Sequence, residues 1–231
     1  DMPEVVMIYL TGKPRKGIGP HDVAIALVGA TFASGYVNNR VLEFVGPGIA
    51  NLPIDFRNGV DVMTTETTCL SSIWETDEVT KGWYETHQRP EDYKDLHPGK
   101  VAYYDRMIHI DLDKMESMIA LPFHPSNSYT IHYFNEHREE LINQLQAEAE
   151  KKYPKLKVDY KSKLRENGVY ATQGFMGGCA GGMFDSLQEA AAILDGKSTG
   201  NGEFALNAYP TSIPVGLELI KIGATQKLME A

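Results

Sequence analysis

The stretch Gly174-Phe175-Met176-Gly177-Gly178-Cys179-Ala180-Gly181-Gly182-Met183-Phe184-Asp185-Ser186-Leu187 limits what this chain can fold into more than any other part of it. Val169 to Met176 reads as a short buried strand and Gly177 to Gly182 as a tight turn. Met183 to Leu194 reads as a helix, with apolar residues at Phe184, Leu187, Ala190, Ala191 and Leu194. The result is a strand, a glycine-rich elbow and a helix. Glycines let the backbone take positive φ and approach a ligand closely, and the amides that open a helix favour an anion or a thiolate. Cys179 stands at the point of the turn, where such a setting would make it a better metal ligand or nucleophile. The same residues also fit a plainer reading, in which the glycines only permit close packing and Cys179 is a small buried apolar residue. This stretch alone leaves both readings open.

The rest of the chain supplies more units of the same kind. Val5 to Leu10 is a strand, Thr11 to Pro20 a loop, and His21 to Ser34 a helix with a broad apolar face, closed by Gly35. Arg40 to Val45 is the next strand, ended by Gly46-Pro47-Gly48. A βαβ order predicts an α/β fold of layered α/β/α units with mainly parallel sheets and right-handed crossovers. Ile49 to Trp74 is weakly patterned, with a helix from Asp55 to Met63 followed by Thr64-Thr65-Glu66-Thr67-Thr68-Cys69. Glu66 could act as an acid or base, or could simply be a solvated helix residue.

Asp77 to Gly99 is polar and rich in turn formers; its His87, Glu91 and His97 share no metal-ligand spacing. Met107 to Leu112 alternates as a strand with His109 as a sheet residue, and Ala120 to Asn127 is a loop stiffened by Pro122 and Pro125. Phe134 to Lys152 is a helix whose Leu141, Ile142, Leu145 and Ala149 share one face while charges cover the rest. Tyr153-Pro154-Lys155 ends that helix, so the domains are expected at 1–153 and 154–231. After the elbow come a strand from Glu203 to Ala208, the loop Tyr209-Pro210-Thr211-Ser212 and a helix from Ile213 to Ile222.

Composition excludes some functions. A net charge of -9 argues against a nucleic-acid surface. With no apolar run near ~20 residues, no membrane span is expected. Two cysteines and no signal peptide point to a reducing, cytoplasmic setting, in which a Cys69–Cys179 disulfide is not expected. The strand that starts almost at once after Asp1-Met2-Pro3-Glu4, and the helical pattern still running at Leu228 to Ala231, give the expectation of a piece of a longer protein.

Taken in order, these pieces resemble the aconitase family of iron–sulfur hydro-lyases, specifically its aconitase-like hydratases, over most of the chain. Ile8 to Lys13 with Gly19-Pro20-His21-Asp22-Val23 resembles the family's Leu-x-Gly-…-Pro-Lys-Asp-Val opening of its second domain. Glu43-Phe44-Val45-Gly46-Pro47-Gly48 resembles its Glu-Tyr/Phe-x-Gly-Pro-Gly turn, and Met63 to Thr68 falls where the family has Asn-Met-x-x-Glu-x-Gly-Ala. Asp105 to Leu112 resembles its Tyr-Asp-x-x-Ile-x-Ile-Asn-Leu strand, and Leu121-Pro122-Phe123-His124-Pro125 its Gly-Pro-Phe-x-Pro loop. Gly178 to Leu187 resembles the Gly-Ser-Cys-Thr-Asn-…-Asp-Met/Leu motif, and Tyr209 to Ser212 the x-Pro-Gly-Ser loop.

The resemblance implies a fragment holding the second domain and part of the third, truncated before a downstream Cys-x-x-Cys motif. In the intact protein it implies a 4Fe-4S cluster acting as a Lewis acid on a hydroxy di- or tricarboxylic acid. Cys179 would be a metal and cofactor ligand, Glu66 a catalytic-site group that orients iron-bound water or a catalytic His, and Ser212 a substrate-binding residue. One thiolate does not hold a cluster, so none is expected in this chain by itself, which would be inactive alone. The implied partners are the remaining domains of the parent and the small carboxylic acid. Ala180 and Gly181 replace the family's Thr-Asn pair and Val62 its Asn, which favours an alternative: a non-catalytic scaffold used for binding or regulation. A small-ligand domain whose elbow holds an anion without iron is the third reading.

Overall fold

A computed structural model describes residues 2–202 and 204–231, and the chain divides into two compact units, Asp1–Thr130 and Ile131–Ala231. The first unit is built on β1 (Val5–Thr11), whose Val6, Ile8 and Leu10 are fully buried. Helix α1 (Pro20–Thr31) leads to β2 (Val41–Val45), and α2 (Ile54–Asp61) leads to β3 (Ser71–Trp74). Helix α3 (Glu78–Thr86) then precedes β4 (Arg106–Asp111). All three pairings are parallel, in the order β3-β2-β1-β4, with Ile8 beside Phe44 on one side and Ile108 on the other. The parallel sheet expected from the βαβ order is therefore present.

Strand β3 and helix α3 were not visible in the sequence pattern. Strand β3 is an edge strand of alternating exposure, and it is held from outside: Ser72 Oγ and Trp74 Nε1 donate to Asp61 Oδ1 at 2.6 and 2.9 Å. The Trp74 ring stacks on its cross-strand partner Phe44, centroids 4.1 Å apart. Helix α3 lies in the stretch read as turns and buries no residue, so it leaves no apolar stripe to detect. A cap holds it instead, since the Thr80 amide donates to Asp77 Oδ1 at 3.0 Å.

Arg57 ties these crossovers together. It is 3% exposed; its guanidinium donates to the carbonyls of Leu52 (3.1 Å) and Ile49 (3.0 Å), and forks onto Asp77 at 2.9 and 2.6 Å. Burial resists ionisation of Asp77, but the Arg57 fork and the Thr80 amide outweigh it and hold the carboxyl below its ordinary 3.8.

A hairpin of β5 (Met118–Ala120) and β6 (Ser128–Thr130) lies along α1: the Met118 amide donates to Asp22 Oδ1 at 2.7 Å, and Ser128 Oγ to the Ile25 carbonyl at 3.5 Å.

The second unit opens with α4 (Ile131–Lys152), whose Leu141, Ile142, Leu145 and Ala149 are buried, with non-helical φ/ψ at His137. The compact units divide before this helix, and Gln146, 6% exposed, joins α4 to the segment that follows: its amide donates to the Val158 carbonyl at 2.9 Å and its oxygen accepts from the Tyr160 amide at 2.8 Å. Strands β7 (Leu164–Arg165) and β8 (Gly168–Val169) form a small hairpin, so the strand expected from Val169 is shorter and starts at Gln173.

Strand β9 (Gln173–Met176), the one-turn helix α5 (Gly178–Gly181), α6 (Phe184–Leu194) and β10 (Ala205–Ala208) follow. The sequence reading began this last strand at Glu203, which lies outside the described residues. β10 pairs with β9 in parallel, and α7 (Ile213–Lys221) and α8 (Ala224–Glu230) pack with α6 through Leu187, Ala191, Leu219 and Ala224. Among the described residues no helix is long and apolar enough to cross a membrane.

Replacing Arg57 with Met should lower the stability of the first unit by about 3 kcal/mol in urea denaturation, because it strands Asp77 and two carbonyls. A midpoint like that of the native chain would show that the fork is dispensable. The depressed Asp77 carboxyl adds stability that is fully present above the unfolded value of 3.8 and is lost as pH falls through the lower folded value. Asp77→Asn should therefore flatten the acid limb of the stability curve below about pH 4.

Candidate functional site

The residues singled out from the sequence fall in two places, one in each unit. Glu66 sits in a 3-10 turn, Thr64–Thr67, that runs from α2 to β3. The turn is fixed by its own hydroxyls: Thr67 Oγ1 donates to the Thr64 carbonyl at 2.6 Å, Thr64 Oγ1 to the Asp61 carbonyl at 2.7 Å, and Thr68 closes it in the left-handed region at φ 64. Cys69 is engaged here too, its thiol donating to the Thr64 carbonyl at 3.3 Å. Thr64 and Thr67 are buried while Glu66 points outward, its side chain 46% exposed. Because the turn leads into a strand, Glu66 lies at the amino edge of the parallel sheet, opposite the carboxyl edge where ligands of open α/β sheets usually bind.

Beside Glu66 stands His124, which the sequence reading left as part of a rigid loop. Its Nε2 is 4.0 Å from Glu66 Oε2. The loop closes at both ends, with the Leu121 amide donating to the Asn127 carbonyl at 2.7 Å and the Asn127 amide to the His124 carbonyl at 2.9 Å. Phe123 within it is held at φ 89, a left-handed conformation that costs a non-glycine residue on the order of 1 kcal/mol. The imidazole stacks on Phe32 at the end of α1, centroids 3.9 Å apart, and its Nδ1 accepts from the Ser126 amide at 3.1 Å. An acceptor Nδ1 leaves the ring proton on Nε2, which faces Glu66. In the sequence this loop was marked by its prolines and by the family-like pattern from Leu121 to Pro125; neither signalled that it would meet residue 66.

Cys179 and Ser212 come together in the second unit. Parallel pairing of β9 and β10 sets the turns that follow them side by side: the Tyr209 amide donates to the Met176 carbonyl at 2.8 Å and the Thr211 amide to the Gly182 carbonyl at 2.8 Å. Gly178 takes φ +82, and a Cβ on Gly182 would meet the Tyr209 carbonyl oxygen at 2.4 Å, so both glycines are required by geometry. Cys179 is an exposed free thiol between them, which removes the reading of it as a buried apolar residue. The expected helix N-terminus at the thiol is not there. The turn is itself a one-turn helix, and the longer α6 starts only at Phe184. Ser212 caps α7 by accepting from the Val215 amide at 3.4 Å, which leaves its hydroxyl proton to donate elsewhere. Ala180 is buried, whereas the position of Gly181 faces open space.

Among the described residues no three His, Cys, Asp or Glu are grouped to hold a metal. Cys179 offers one exposed thiol and Cys69 is committed to a carbonyl, so these residues do not fit a complete iron–sulfur cluster. His97 pairs with Glu75 and Asp95, both at 2.8 Å, and not with His87 or Glu91; the Glu75 hydrogen bond, aided by the Asp95 charge, raises its imidazole above the ordinary value. His109 bonds Thr11 Oγ1 at 2.8 Å as a solvated sheet residue.

The family model described as aconitase family (aconitate hydratase) matches residues 1–231. Among curated proteins, the 3-isopropylmalate dehydratase large subunit of Lachnoclostridium phytofermentans is 24% identical over 230 residues, 100% of this chain and 46% of that protein. The 2,3-dimethylmalate dehydratase large subunit of Eubacterium barkeri is 26% identical over 230 residues, 100% of this chain and 47% of that protein. The mitochondrial homoaconitase of Mycosarcoma maydis is 38% identical over 98 residues, 42% of this chain and 13% of that protein. The chain thus spans about half the length of the first two relatives. With a match that runs through both the Glu66 turn and the Cys179 elbow, from the first residue to the last, this chain belongs to the aconitase family.

Proposed function

We propose that the chain is part of an aconitase-type hydro-lyase that removes and restores water on a hydroxy di- or tricarboxylic acid. The observation that carries this reading is the family match across the whole chain, backed by relatives that are dehydratases of substituted malates. In this reading the chain holds the second domain and the beginning of the third, and the remaining domains or a second subunit complete the site. The expected boundary near residue 153 belongs to the same proposal.

Elimination of water needs one group to accept a proton from carbon and another to assist the departing hydroxyl. Glu66 is suited to such work: it is exposed, rigidly carried and free to meet a ligand. Ser212 would use its spare hydroxyl proton on a substrate carboxylate while its lone pair caps α7. Cys179 would be this chain's one contribution to a 4Fe-4S cluster, the other thiolates coming from outside these residues. Ala180, Gly181 and Val62 remain departures from the family pattern, and the position of Gly181 faces open space.

Anaerobic reconstitution of a longer protein containing this chain should yield iron and a visible absorption band that Cys179→Ser abolishes and Cys69→Ser leaves unchanged. Equal clusters in native protein and Cys179→Ser would remove Cys179 from the ligand set. Assayed on hydroxy di- and tricarboxylates, Glu66→Gln in the same protein should lower kcat by about 10²-fold with little change in KM. A kcat within a factor of two of native would take Glu66 out of the chemistry.

A further inference from the structure

We infer that His124 is the positioning residue of Glu66: an imidazole that presents Nε2–H to the carboxylate and restricts where it points. The functional side of this inference rests on the reading of Glu66 as an active-site group; the pairing itself does not. Three observations converge on it. The ring plane is set by stacking on Phe32, 3.9 Å away at an interplanar angle of 28°. The tautomer is set by the Ser126 amide, which donates to Nδ1 at 3.1 Å, with Ser126 Oγ at 3.0 Å from the same nitrogen. The remaining ring nitrogen then faces Glu66 Oε2 at 4.0 Å, beyond direct hydrogen bonding but within reach of one side-chain torsion of an exposed Glu.

At 4.0 Å with both side chains partly in water, the charge interaction between Glu66 and the ring is small. With Nδ1 taken by the Ser126 amide, Nε2–H is a directional donor rather than half of a fixed ion pair. Such a donor stabilises one carboxylate orientation without committing Glu66 to an ion pair, so Glu66 stays free to take up or release a proton at a substrate.

The test is a ring-nitrogen NMR measurement of the full chain labelled at histidine, in native form and as Glu66→Gln. The native chain should show His124 as the Nε2–H tautomer, and Glu66→Gln should change the Nε2 chemical shift of His124 while those of the other six histidines stay put. An Nδ1–H tautomer, or an Nε2 shift that does not change, overturns the pairing. In the longer enzyme, His124→Gln, which keeps an N–H donor, should retain most of kcat. His124→Leu should lower kcat about tenfold with KM unchanged and shift the acid limb of its pH profile; equal activity of the two variants overturns the positioning role. Failure of the hydro-lyase reading looks different, with no turnover in any variant while the NMR result stands.

Discussion

The first unit depends on one constraint: β1 is paired in parallel on both sides, and its Val6-Ile8-Leu10 face is fully buried. A strand so placed cannot be joined to its neighbours by tight turns, so each connection must cross the sheet and return as a helix. Burial of Val6, Ile8 and Leu10 then decides where everything else goes. Helix α1 runs against β1 and ends at Phe32 on the amino edge, and the chain must come back to that same edge before β3. The 3-10 turn with Glu66 is part of that return. The hairpin of β5 and β6, laid along α1 by Asp22 and Ser128, brings its tip to the same end of the helix. His124 meets Glu66 because two different connections are both obliged to visit one end of α1.

What could be read from the sequence follows from what was buried. Strands β1 and β2, helices α1 and α4 and the β9–α6 elbow all carry apolar residues at a period that burial imposes, and their expected spans lie within a few residues of the observed ones. Strand β3 and helix α3 were missed because polar contacts hold them. Asp61 reaches across to Ser72 and Trp74, and Arg57 reaches across to Asp77; neither leaves a period in the chain. The candidate site divides in the same way. Cys179 could be singled out because glycine spacing is local, and its elbow requires glycine at Gly178 and Gly182. His124 was not found because its partner is distant in sequence and the contact is made by topology.

The two candidate places also differ in how they are made rigid. At the Cys179 elbow the backbone does the work: a left-handed Gly178, a Gly182 pressed onto the Tyr209 carbonyl, and a hydrogen bond from Thr211 leave little freedom to the turn. A thiolate needs only to be exposed and fixed in space, so backbone rigidity is sufficient. At Glu66 the backbone is fixed by threonine hydroxyls, but a Glu side chain has three torsions of its own and would lose orientation in water.

That difference explains why a histidine beside Glu66 matters more than its weak charge interaction implies. Coulomb attraction across 4.0 Å between partly solvated groups contributes little to stability and falls with salt. Direction survives screening better than energy does. With Phe32 fixing the ring plane and the Ser126 amide fixing the tautomer, Nε2–H points one way whatever the ionic strength, and the strained Phe123 backbone beside it is the cost of holding the loop in that pose. A carboxylate that meets such a donor is ordered in the one respect that acid–base chemistry requires, its orientation.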